Sequence, residues 1–218
     1  MSEKTAILFF HRAESEEKKH KSFRASVVTF LNSRTRKLIS RSGLPVFDHI
    51  DFTIENISLQ ERFYLAVNST FEKGFEHVIV VGNDCPQLQL GDIQKASAQL
   101  EVNDLVIGPD WRGGTYLLGI SRNIFTKEWA LSLPWHTNRF AEVASAGIEN
   151  VCYMDKLIDF NYSTELPSIK KIKFRRSLLQ AFIQLFICFE NSVFKIIDSS
   201  ISVIELKQLR APPAHLHL

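Results

Sequence analysis

The run His77-Val78-Ile79-Val80-Val81-Gly82, followed at once by Asn83-Asp84-Cys85-Pro86, limits the possible folds more than any other stretch of this chain. Four successive apolar β-branched residues with no polar alternation describe a strand covered on both faces, and such strands belong to sheets with helices above and below. The turn residues that follow end the strand sharply and leave Asp84 at its mouth. A second strand, Asp104–Gly108, closes on Gly108-Pro109-Asp110-Trp111-Arg112-Gly113-Gly114. A carboxylate at the end of a buried strand, with a glycine pair on the neighbouring loop, is an arrangement by which nucleotide-using α/β proteins hold a metal ion and a diphosphate.

The rest of the chain alternates in the same way. Thr5–Phe10 reads as a buried first strand, and Phe23, Val27, Val28, Phe30 and Leu31 recur at helical spacing. Pro45–Phe47 is a short strand candidate, and Leu59, Phe63, Leu65, Ala66 and Phe71 form an apolar stripe that ends before Gly74. Asp92–Leu100 reads as a helix, and Thr115–Ile120 as a strand of the kind that adds antiparallel to such sheets. A helix over Asn138–Ala146 and a strand over Glu149–Met154 complete the pattern. Strand and helix in alternation predict a three-layer α/β/α sandwich with a mostly parallel central sheet. The 218 residues suffice for one such domain, over residues 1–167. From 168 to 218 the segments KKIKFRR, LLQAFIQLFICFE and SVFKIIDSSISVIELKQL form a C-terminal amphipathic appendage, expected to pack on the domain or to support a homodimer.

Several classes drop out on composition. A hydrophobic share of 45% is that of a folding chain, and a net charge of +2 argues against a nucleic-acid partner. The basic clusters Arg34–Arg41 and Lys170–Arg176 remain able to meet phosphates or a membrane surface. The three cysteines, Cys85, Cys152 and Cys188, are widely spaced and read as reduced structural thiols. The N-terminal apolar run is too short for a signal-peptide core, and Leu178–Phe189 is too short to span a bilayer. The expectation is a cytoplasmic protein without an integral membrane segment.

Read in order, GNDCPQL, IGPDWRGGTYLLGI, LPWHT and IDFN, with Gln60-Glu61-Arg62-Phe63 at a helix start, resemble a bacterial family of proposed glycosyltransferases labelled DUF2064. The resemblance covers roughly residues 5 to 165 and implies the A-type nucleotide-diphospho-sugar transferase fold. It implies a nucleotide-sugar donor, an acceptor of unknown identity, and Mg²⁺ or Mn²⁺ held by Asp84, with Asp159 and Asn161 as further ligands. It also places Trp135-His136-Thr137 near the acceptor. Read without it, Asp84 is a turn aspartate ahead of Pro86, and Trp135 is a core tryptophan beside a helix start capped by Thr137.

Three positions depart from the family pattern. Relatives carry a glycine- and proline-containing loop and a Lys-Thr-Arg after the first strand. Here His11-Arg12-Ala13-Glu14-Ser15-Glu16-Glu17 has neither glycine nor proline, and Arg12, with Lys18, Lys19, Lys21 and Arg24, is left to supply cations to a substrate. Arg112 stands where relatives have aspartate before the glycine pair; a guanidinium cannot ligate a metal but clamps phosphates and carboxylates. Gly113 and Gly114 let a backbone approach closely, as a substrate or an ordinary turn requires. Asn161 replaces the last aspartate of an Asp-x-Asp and keeps one neutral oxygen. Two functions follow: a metal-dependent glycosyltransferase with Asp84 and Arg112 catalytic, or a degenerate relative serving as an anion-binding or scaffold module. A nucleotidyltransferase is a further variant of the first.

Overall fold

The computed structural model describes residues 4–12, 25–51, 57–135 and 137–159. In chain order the elements are β1 (Thr5–Arg12), α1 (Ala25–Ile39), β2 (Val46–Asp51), α2 (Leu59–Phe71), β3 (His77–Val81) and α3 (Leu90–Leu100). They continue with β4 (Leu105–Pro109), β5 (Thr115–Ser121), a 3₁₀ turn (Arg122–Ile124), α4 (Lys127–Ser132), α5 (Phe140–Ala144) and β6 (Val151–Tyr153). The strands form one six-stranded sheet in the order β2-β1-β3-β5-β4-β6. Strand β5 runs antiparallel to both β3 and β4, while the β1/β2, β1/β3 and β4/β6 pairs are parallel. The sheet is thus mixed and mostly parallel, with the reversed strand where the sequence placed it.

Strand β3 shows why the residues after His77 are all apolar. Val78 and Val80 join Phe63, Ala66, Val67 and Phe71 of α2 on one face, with Ala130 of α4 and Phe140 of α5. Ile79 and Val81 join Ile39 of α1 and Ile93, Ala96 and Leu100 of α3 on the other. A period-2 chain whose two faces both meet helices needs a hydrophobe at every position, and all five residues of β3 are buried.

Helix boundaries follow local chemistry. Ser58 caps α2: its Oγ accepts the Glu61 N–H at 3.2 Å while the Glu61 carboxylate accepts the Ser58 N–H at 2.8 Å, a reciprocal capping box. At the other end Gly74 takes a φ of 97°, and the Arg122 guanidinium donates to the carbonyls of Phe71 and Phe75. The second half of the chain departs from the sequence reading in two places. The helix expected over Asn138–Ala146 is only Phe140–Ala144, and it is preceded by α4, six residues capped by Thr126, too brief to show a helical period. Strand β2 runs on to Asp51 because β1 pairs with it throughout, Ile7 opposite Val46 to Arg12 opposite Asp51, despite the polar residues in its second half. The C-terminal appendage, His136, Asn161, Lys18, Lys19, Lys21 and Arg24 lie outside the described residues.

Candidate functional site

The carboxyl ends of β1, β3 and β4 lie along one edge of the sheet, and because β5 is reversed its first residue, Thr115, lies there too. Loops that leave this edge are free of the ladder and carry the candidate residues. Three of them are joined by hydrogen bonds: the loop after β3 (82–89), the β4–β5 turn (110–114) and the segment after β6 (154–159).

The β4–β5 turn is built around Asp110, only 4% exposed. Its Oδ1 accepts the N–H of Arg112 at 2.6 Å and of Gly114 at 2.8 Å. The second glycine is required by that carboxylate, since a Cβ on Gly114 would stand 2.7 Å from Oδ2. The first is required twice over: Gly113 has a φ of 89°, and a Cβ there would strike the backbone of Asn138. Asp110 is therefore committed to holding the turn.

The segment after β6 is fixed to that turn and to the β3 loop. Leu157 donates to the Pro109 carbonyl at 3.2 Å, Tyr116 Oη to the Asp155 carbonyl at 3.0 Å, and Arg112 Nη2 to the Asp159 carbonyl at 3.0 Å. The Ile158 N–H is taken by Gln87 Oε1, from the β3 loop, at 2.7 Å. Asp84 and Asp159 are thereby carried to the same neighbourhood, that of Cys85. Burial, and then the charges of Asp159 and Asp84, push the buried Cys85 thiol well above its ordinary value, so it is a neutral packing group rather than a nucleophile. Gly82 leaves room for Asp84, whose Oδ1 would be 2.9 Å from a Cβ at position 82.

Helix α1 supports the β3 loop from below. Asn83 Nδ2 donates to Asn32 Oδ1 at 2.6 Å, both residues being buried, and Arg34 Nη2 donates to the Leu88 carbonyl at 2.6 Å. Burial lowers the Arg34 pKa. At the end of β1 the buried His11 places Nε2 2.8 Å from Asp48 Oδ1, and Arg36 holds the other oxygen with Nε at 2.9 Å. Arg12 follows as the last residue of β1.

Sequence reasoning singled out Asp84, Arg112, Gly113, Gly114 and Asp159, and these the fold brings to one edge. Trp135 is half-buried and packs against the core, its ring 5.1 Å from Phe63 and 4.8 Å from Phe140. Thr137 Oγ1 donates to the Pro134 carbonyl at 2.8 Å and accepts the Arg139 N–H at 3.3 Å, while α5 begins at Phe140 without a side-chain cap. Gln87, Tyr116, Asn32 and Arg34 were missed; nothing in their spacing marks them, because their partners lie 39 to 71 residues away. Among the described residues no group of three His, Cys, Asp or Glu side chains could hold a metal by itself. Nor is any helix among them long and apolar enough to cross a membrane.

Residues 27–137, half of the chain, match a family described as "Uncharacterized protein conserved in bacteria (DUF2064)". The chain belongs to the DUF2064 family. A crystal structure from Desulfovibrio desulfuricans G20, described as a "putative nucleotide-diphospho-sugar transferase", superposes with a TM-score of 0.66 at 20% identity, covering 85% of this chain and 97% of that one. The homologue of Mycobacterium tuberculosis Rv0371c from Mycobacterium sp. strain JC1 superposes with a TM-score of 0.52 at 9% identity, covering 85% of this chain and all of that one. At these identities the likeness is one of fold. No curated protein matches the sequence significantly. This DUF2064 member therefore has a mixed α/β fold similar to that of the Desulfovibrio protein, with its candidate residues at the carboxyl edge of the sheet.

Proposed function

We propose that this DUF2064 protein is a glycosyltransferase that binds a nucleoside-diphosphate sugar at the carboxyl edge of its sheet and passes the sugar to an acceptor hydroxyl. The observation that carries the reading is the convergence of Asp84, Arg112 and Asp159, from three separate loops, around Cys85 and the rigid 110–114 turn. Fold likeness and family membership support it without specifying the donor.

The donor set fits a divalent ion of the kind that shares its ligands with substrate. Asp84 and Asp159 offer hard carboxylate oxygens in one neighbourhood, and Gly82 leaves the Asp84 carboxylate unobstructed from its own strand. Mg²⁺ or Mn²⁺ is commonly held by one or two carboxylates plus the phosphates of its nucleotide. Such an ion would neutralise charge developing on the departing diphosphate. Arg112 would clamp a phosphate by paired N–H donors, and Arg12, the last residue of β1, is the further cation assigned to the nucleotide by sequence. Gly113 and Gly114, assigned to the substrate by sequence, would act through the turn they permit, since Asn138 and Asp110 fill the space beside them. Trp135 and His136 are assigned to the acceptor by sequence, and of the two Trp135 lies among the described residues, half-buried against Phe63 and Phe140.

The test is thermal stabilisation by UDP-, GDP-, dTDP- and CDP-sugars with and without Mn²⁺, in wild type and Asp84→Asn. Stabilisation grows with ligand concentration over Kd, so weak donors register at millimolar levels. A shift that requires both Mn²⁺ and Asp84 supports the reading. A shift that ignores Mn²⁺ and Asp84 but vanishes in Arg112→Gln favours anion binding without turnover, and the presence of a cation at position 112 is the specific reason to examine it. No shift with any donor overturns both.

A further inference from the structure

The three tryptophans of this chain have different fates, and one of them is left largely in water. Trp129 donates its indole N–H to the Ala144 carbonyl at 3.0 Å and packs on Phe125. Trp135 packs between Phe63 and Phe140. Trp111 is 67% exposed, and its ring meets no other aromatic group among the described residues. A large apolar ring left in water is the informative exception to burial, and one on a floppy tip would mean little. Trp111 is not on a floppy tip. It occupies the turn locked by Asp110, pressed on Asn138 at Gly113 and bridged to the 154–159 segment. The surroundings are cationic: the Lys156 ammonium lies 6.0 Å from the ring centroid, and Arg112, exposed, is the next residue. An exposed aromatic ring on a turn whose backbone is held, with the Lys156 ammonium over it and Arg112 next in sequence, suits a ring-shaped ligand with a negative substituent.

The geometry points to Trp111 and Lys156 as an acceptor subsite that takes an anionic pyranoside, its apolar sugar face stacked on the indole and its carboxylate or phosphate met by Lys156. This rests on the transferase reading, whose acceptor class it names, and it adds the exposed face of Trp111 to the half-buried one of Trp135. The held turn fixes the backbone that carries the indole, which lowers the entropic cost of ordering it on binding. The Lys156 ammonium, now over the ring, has a flexible stem and can move to the ligand's anion.

Ligand-observed saturation-transfer NMR on the full chain tests this with methyl glucuronide and glucose 6-phosphate as probes, against methyl glucoside, inorganic phosphate and phosphatidylglycerol vesicles. Saturable binding of the two anionic pyranosides is expected, strongest at the sugar ring protons. Trp111→Ala should weaken it about tenfold and Trp111→Phe by no more than about threefold, in line with stacking energies of aromatic platforms. Lys156→Gln should reduce the preference for charged over neutral pyranoside. The phenylalanine variant retains a ring and guards against misreading a folding defect. Equal binding by wild type and Trp111→Ala, no pyranoside binding at all, or Trp111-dependent binding to the vesicles alone would each overturn the proposal. Nucleotide sugars with Mn²⁺, titrated into the same samples, keep the two readings apart: a protein that binds nucleotide but no pyranoside loses only the acceptor subsite.

Discussion

Asp110 and Gly114 form a matched pair: the aspartate Oδ1 accepts the glycine N–H at 2.8 Å, and its Oδ2 occupies the space a side chain at 114 would need. The same carboxylate also holds the Arg112 N–H, so a single buried side chain sets the path of the turn that carries Trp111 and Arg112. Asp110→Ala leaves two amides without their charged acceptor and should cost about 2 to 3 kcal/mol in urea unfolding. Asp110→Asn keeps an oxygen acceptor at that site and should lose about 1 kcal/mol. Equal costs for the two variants would show that the carboxylate charge, not the acceptor geometry, holds the turn.

The partners of Asp84 predict a division between stability and binding. The side chain is only half-buried on a loop already fixed by Asn83, Gln87 and the Leu88 carbonyl. Asp84→Asn preserves its volume and one oxygen acceptor and should change unfolding free energy by about 1 kcal/mol or less. Metal-dependent nucleotide stabilisation should disappear in the same variant. A large drop in stability instead would make Asp84 a turn-holding residue.

His77 gives the fold a dependence on pH. It opens β3 with its ring buried and Nδ1 3.4 Å from Thr5 Oγ1. Burial lowers its pKa from the ordinary 6.5, and the partly opposing carboxylates of Glu101, Glu76 and Asp104 do not reverse this. The unfolded chain therefore takes up the proton first on acidification. The contribution is fully present above 6.5 and declines as pH falls below 6.5 toward the depressed folded value. Urea midpoints measured from about pH 7.5 to about 5 should fall across that window, and His77→Gln should flatten the slope. An unchanged slope in the variant would assign the acid sensitivity elsewhere.

What the sequence made legible divides along a physical line. Buried strands declared themselves because both faces of β3 need hydrophobes, and α2 because its stripe, its capping box and Gly74 are local signals. Strand β2 was read short because Asp48, His49 and Asp51 carry no strand propensity; backbone pairing with β1 decides them. At the site, Asp84 and the glycine pair were visible as punctuation between strands. The residues that hold those loops together were not, since Tyr116 meets Asp155 and Gln87 meets Ile158 only through the fold. Trp111 and Trp135 make the same point from one residue type: the sequence shows two flat rings, and only packing decides which is half-covered by phenylalanines and which faces water.

Arg34 joins α1 to the loop that carries Asp84, and its energetics run opposite to those of an ordinary contact. Its guanidinium is mostly withdrawn from water, donates to the Leu88 carbonyl, and leaves Nη1 buried without an acceptor. Withdrawing a cation from water with so little compensation is costly, and replacing it by an apolar side chain of similar length can be neutral or stabilising. Arg34→Met should therefore leave the unfolding free energy within about 1 kcal/mol of wild type, or raise it. The same substitution removes the hold on Leu88, four residues from Asp84, so nucleotide affinity should fall severalfold, and Arg34→Lys should recover part of it. Calorimetric titration of nucleotide beside urea unfolding of both variants separates the two effects. Parallel losses in stability and affinity would mean that Arg34 is a packing residue with no particular bearing on the site.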